Sequence, residues 1–196
     1  MSISTLFLVV ILALGSPRGR YSENSAAFAR YDAMSTEIAN AVEDPHETLP
    51  FTGPAAKEAS GIALVAIAWH ESNFRQVVRD CRMTGDHGAS ISSFQLMKGT
   101  SWFHYSKDEI CTNPQLAATL ALRVLNWYDR SVSTKSLFQG YATGSWAVQA
   151  TAADEIRKLF EEALASQGIK VRRKPHTTKL YADFEPPMVM SMNGNP

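Results

Sequence analysis

The chain has 196 residues, and its 19 Lys plus Arg are balanced by 19 Asp plus Glu, so the formal charge at neutral pH is zero. That length can bury a full core as one domain with residues left over for tails. No long basic run marks a polyanion partner, so no nucleic-acid partner is expected.

In chain order, the first feature is Leu6 to Leu14, LFLVVILAL, an apolar run of nine residues. It is too short to span a bilayer comfortably and has the length of a signal-peptide core, with Ala13 and Gly15 at cleavage-like offsets. No Lys or Arg precedes it. Residues 1–24 are therefore expected to be an export signal or short anchor plus the linker SPRGRYSEN, with membrane or assembly contact through residues 1–15. A helix or strand packed on the domain, or on a neighbouring subunit, is the second reading.

The main domain is expected over residues 25–168. From Ser25 to Val42, apolar Phe28, Tyr31, Met34 or Ser35, Ile38 and Val42 recur at three- and four-residue intervals, which predicts an amphipathic helix. Asp44-Pro45 ends it, and Pro45 to Pro54 is a loop with three prolines and one Gly. The run Ile62 to Trp69 mixes Ala with larger aliphatics and contains neither Gly nor Pro, which predicts a helix buried almost all round. Pro54 suits its first turn.

At His70-Glu71-Ser72-Asn73 the polarity changes abruptly. A carboxylate at the end of a buried helix is desolvated, and desolvation disfavours the charged form of a carboxyl. A Glu kept protonated near neutral pH can act as a general acid. That is the functional reading of Glu71; the bland one is a helix end whose Glu faces water.

Asn73 to Ile91 is polar, with a tight turn at Thr84-Gly85-Asp86-His87-Gly88. Asp86 follows Glu71 by 15 positions. It is a candidate second carboxylate, against the commoner reading of a turn residue bonding nearby backbone N–H groups. His87 reads as a solvated loop residue. HExxH spacing is absent, so no metal or other cofactor is expected. Cys81 and Cys111 stand 30 positions apart. An even pair permits one disulfide if the chain is exported, and two buried thiols if it stays in a cytosol.

Trp102, Phe103, His104 and Tyr105 cluster as a saccharide platform or, more commonly, as core. Asn113-Pro114 opens a long helix to about Arg130, with Leu116, Leu120, Leu122 or Val124, and Trp127 as its buried stripe. Gly140 to Gly144 reads as a loop carrying Tyr141. Ala150 to Gln167 is strongly periodic, with Ile156, Leu159, Phe160 and Leu164 on one face and Gly168 as its stop. Residues 169–196 are a basic segment, KVRRK, and an irregular tail. Helical periodicity dominates throughout, which predicts a mainly α fold of six to eight helices with at most a small hairpin near Arg82 to Ser93.

Glu71-Ser72, the aromatic Phe74, a Gly-containing loop and Ser93-Phe94-Gln95-Leu96-Met97 together resemble the lytic transglycosylase and goose-type lysozyme superfamily. The resemblance covers roughly Ala55 to Ala147. It implies a lysozyme-like domain with Glu71 as the catalytic acid/base, and with Ser72, Phe94, Gln95 and Tyr141 as substrate-binding residues. It further implies peptidoglycan glycan strands as partner and cleavage of the MurNAc–GlcNAc β-1,4 bond to 1,6-anhydro ends, in a periplasm, a cell envelope or a virus particle. The chain departs from the pattern in three places. Glu71 and Gln95 are 24 positions apart, more than the family norm. Ser92 stands where a Gly is usual, three residues before the Gln, and Ala142 stands where an Asn is usual after the Tyr. Two further readings stand beside the first: a hydrolytic muramidase using Asp86, and a non-catalytic lysozyme-like component of a virion or secretion machine.

Overall fold

The computed structural model describes residues 1–15, 25–85, 88–97, 104–131, 137–143 and 151–173. Among these the chain is mainly α, with two very short antiparallel ladders. The elements are α1 (Ile3–Gly15), α2 (Ser25–Glu43), β1 (Phe51–Thr52), α3 (Ala56–Ser72), α4 (Gln76–Arg79), β2 (Ser90–Ile91), β3 (Leu96–Met97), α5 (Lys107–Thr112), α6 (Pro114–Ser131), α7 (Gln139–Thr143), α8 (Thr151–Ser166) and β4 (Arg172–Arg173).

Helix α3 is the centre of the core. Every residue from Ala59 to Trp69 is buried, so the helix has no solvent face over three turns. Helices α1, α2, α6 and α8 and strand β1 pack around it. Small residues let them approach: a Cβ placed on Gly61 would lie 1.8 Å from Cζ of Phe7 on α1. Gly61 is therefore the notch into which the Phe7 ring fits.

Helix α1 buries Leu6, Phe7, Val10 and Ile11 in the same core cluster. The segment thus packs on the domain as a helix. None of the helices among the described residues is long and apolar enough to cross a membrane.

Several periodicity expectations shift by a face or an element. Phe28 of α2 is 50% exposed, and the buried face instead carries Ala27, Tyr31, Met34, Ile38, Ala39 and Val42. On α6 the deepest positions are Ala117, Ala118, Leu120, Ala121, Leu122 and Leu125, while Leu116 and Trp127 are only half-buried. Small residues win there because α2 and α3 press against this helix closely. The stretch Gly140 to Thr143, expected as loop, lies in the short helix α7. Phe51–Thr52, inside a proline-rich loop, pairs with Arg172–Arg173 in a ladder that two-residue strands do not announce in sequence. Helix α5 begins with a capping box in which Ser106 Oγ accepts from Glu109 N–H and the Glu109 carboxylate accepts from Ser106 N–H.

The hairpin forms between β2 and β3, with Ser90 opposite Met97 and Ile91 opposite Leu96. Its turn is Ser92 to Gln95, later in the chain than the expected Arg82 to Ser93. An isolated bridge, Gly85 to Ser90, ties the preceding loop to it. A disulfide joins Cys81 to Cys111 of α5.

Candidate active site

Helix α3 ends in a turn that aims Glu71. Asn73 sits in the left-handed region at φ 49°, and its N–H donates to Trp69 O at 2.8 Å. Asn is one of the few non-glycine residues that tolerates this helix stop. Phe74 follows at φ 55°, a conformation strained for a bulky side chain. Two things hold it there. Its N–H donates to Ser72 Oγ at 3.1 Å, and its ring packs against Trp69 and Tyr31, with centroids 5.1 and 5.8 Å away. Ser72 is fully buried and its hydroxyl also donates to Ala68 O at 2.6 Å. The Ser72 hydroxyl, expected as a substrate contact, is thus buried and engaged at the helix end.

Glu71 lies in the last turn of α3 with 21% of its side chain exposed. Its Oε1 is 3.3 Å from His70 Nδ1. The other imidazole nitrogen, Nε2, is 3.1 Å from Glu155 Oε2 on α8. The hydrogen bond to Glu71 raises the His70 pKa, opposed by burial and reinforced by the charge of Glu71 and by contact with Glu155. His70 also sits at the negative end of the α3 dipole, which favours a cation.

Tyr141 comes from α7. Its hydroxyl donates to Phe94 O at 2.8 Å, so it grips the hairpin turn rather than bonding Glu71 directly. Burial, and next the negative charge of Glu71, hold its pKa well above the ordinary tyrosine value. The phenol thus joins α7 to the hairpin turn and feels the charge at the end of α3. The phenol stays protonated and remains a donor.

In the turn itself, Ser92 has φ 66° and Gln95 φ 48°. Ser92 holds the left-handed backbone that a glycine adopts without strain. Its Oγ accepts from Phe94 N–H at 3.3 Å. The Gln95 amide folds back and donates to Ser92 O at 3.0 Å. Its Oε1 lies 2.1 Å from where a Cβ on Gly85 would be, so a side chain there would displace the Gln95 amide. The structure therefore seats Gln95 against its own turn and the 85–90 bridge. The Phe94 ring is buried and offers its backbone carbonyl, not its face, to the neighbourhood of Glu71. Asp86, His87, Trp102, Phe103 and Gly144 lie outside the described residues. His104 and Tyr105 are exposed.

Sequence reasoning missed two features. One is Glu155, an exposed-looking charge on α8 whose only signal is its place one turn from the helix start, facing a neighbour. The other is a separate polar cluster of Glu37 on α2, Arg79 on α4 and Ser93. Glu37 and Arg79 form an ion pair beside a small cavity that Met34, Ser93, Phe94 and Ile110 help to line. Burial raises the Glu37 pKa more than Arg79 lowers it. This pair ties α2 to the segment that follows the helix end.

No protein-family model, no curated protein and no solved structure matches the chain.

Proposed function

We propose that the chain is a peptidoglycan-cleaving lytic transglycosylase with Glu71 as its single acid/base. One observation carries the reading: a carboxylate at the end of a helix buried from Ala59 to Trp69 acts electrostatically on Tyr141, whose hydroxyl is bonded to the Phe94-Gln95 turn. These are the three segments on which the family resemblance was drawn. The Ser92 backbone adds support, because it keeps the left-handed conformation at the position where the superfamily carries glycine.

In this reading Glu71 protonates the glycosidic oxygen between MurNAc and GlcNAc. It then takes the proton from the C6 hydroxyl of the same MurNAc, which attacks C1 and closes a 1,6-anhydro ring. No water enters, and no second carboxylate is needed. The Cys81–Cys111 disulfide supports an oxidising compartment such as a cell envelope as the site of action.

The test is digestion of purified peptidoglycan by the parent chain and by Glu71→Gln. The substitution keeps shape but removes the titratable proton, so clearing should slow by roughly two or more powers of ten. Muropeptides with anhydro ends are expected. Reducing ends would assign a hydrolytic muramidase instead, and equal digestion by Glu71→Gln would remove Glu71 from the chemistry. A parent chain that binds glycan without cutting it would be the non-catalytic module.

A further inference from the structure

His70 has both ring nitrogens set against carboxylates, Nδ1 at 3.3 Å from Glu71 and Nε2 at 3.1 Å from Glu155. The ring is mostly buried, and Glu155 reaches it from α8, which packs along α3. A neutral imidazole has one N–H and one lone pair. It can donate to one carboxylate, but it then turns its lone pair on the other. Both contacts are favourable only when the three groups hold two protons between them. One such arrangement is an imidazolium between two carboxylates. Another is a neutral ring with Nε2–H toward Glu155 and a protonated Glu71 donating to Nδ1. The two differ by the position of a single proton along one contact.

We propose that Glu155, His70 and Glu71 form a proton relay in which His70 holds the proton that Glu71 delivers and Glu155 fixes the ring in the tautomer that can release it. The inference rests on the reading of Glu71 as the acid of a glycan-cleaving site. His70 acts through Glu71, as a positioning residue. The proton count closes over the reaction. The proton moves from Nδ1 to Glu71 and on to the glycosidic oxygen, which leaves Glu71 ionised and facing the Nδ1 lone pair. That unfavourable state ends when Glu71 receives the proton of the C6 hydroxyl as the anhydro ring closes.

The charged groups that act on the ring are Glu71 on its own helix and Glu155 on α8. Among the other elements packed on α3, α1 and β1 carry no charged residue, and none of the charges on α2 (Arg30, Asp32, Glu37, Glu43) or α6 contributes to the His70 shift. The two carboxylates raise the His70 pKa, so the imidazolium is complete below the ordinary histidine value of 6.5. It is lost as pH rises through the raised midpoint. Activity should therefore fall along an alkaline limb set by His70.

The experiment has two arms. In the first, the His70 ring is titrated by NMR in the free protein for the parent, Glu155→Gln and Glu71→Gln. Each variant should lower the His70 midpoint, and midpoints unchanged in both variants would overturn the relay whether or not the protein cuts glycan. In the second, peptidoglycan clearing is followed against pH. Glu155→Gln, on the exposed side of α8, should move the alkaline limb to lower pH. His70→Gln should slow clearing by roughly ten- to a hundredfold and abolish that limb. A His70→Gln protein with the parent's pH profile would overturn the relay. Lowered midpoints in a parent that clears no peptidoglycan would uphold the coupled triad and overturn only the glycan-cleaving reading.

Discussion

At the scale of single residues, the site depends on groups whose chemistry is spent on geometry. Ser72 gives its hydroxyl to the helix end, and Tyr141 gives its own to the Phe94 carbonyl. The Tyr141 bond crosses 47 positions of sequence and links α7 directly to the hairpin turn. Tyr141→Phe removes the donor and leaves a carbonyl without its partner, which costs about 1–2 kcal/mol. Urea titration should show that loss as a lower midpoint with an unchanged slope. An unchanged midpoint would mean that water or another donor replaces the phenol without cost. His70 shows how context makes a residue chemical: a histidine at a helix end is ordinary, and carboxylates on both nitrogens are not.

At the scale of elements, strain collects in one stretch. All non-glycine residues with positive φ among those described, Asn73, Phe74, Cys81, Ser92 and Gln95, lie between the end of α3 and the hairpin turn. Such conformations persist only where surrounding contacts over-determine them. Here those contacts are the Ser72 and Ser92 hydroxyls, the Trp69–Phe74–Tyr31 rings and the Cys81 disulfide. The rigid counterpart is the contact of α1 with α3. Gly61→Ala would drive a methyl into the buried Phe7 ring, with an expected destabilisation of about 1–3 kcal/mol despite the better helix propensity of Ala. Pairing it with Phe7→Leu should recover part of that loss in thermal melts. If Gly61→Ala raises the melting temperature, α1 is not seated as described.

At the scale of the molecule, the fold surrounds one apolar helix and hangs a strained loop from its end. The disulfide anchors that loop to α5 across 30 positions. Closing a loop of that length contributes about 3–4 kcal/mol in the chain-entropy model. Reduction should lower the urea midpoint accordingly, and the Cys81→Ser/Cys111→Ser variant should match the reduced parent. If the proposed glycan cleavage holds, clearing of peptidoglycan should fall as well, because the loop leads from the Glu71 turn to the hairpin. A reduced protein with the parent's stability would show that the loop is held by its packing alone.

Much of the fold was legible because burial and period are local properties. The unbroken apolar run of α3, the three- and four-residue spacing of α2 and α8, the Asn113-Pro114 start of α6 and the Gly168 stop each act through neighbours along the chain. Glu71 was legible for the same reason, as the first carboxylate after that run. The two-residue strands, the exposed face of Phe28 and the small-residue face of α6 were not, since packing against distant helices decides them. The roles of Ser72 and Gln95 depend on which atom lies three residues away in a strained turn. The contact of Glu155 with His70 spans 85 positions, and no periodicity encodes a meeting between the end of one helix and the flank of another. Sequence alone determined the helices and the position of the carboxylate, because short-range sterics and hydrophobicity act along the chain. Only the tertiary structure decided what faces that carboxylate, because charge and hydrogen bonding act across space.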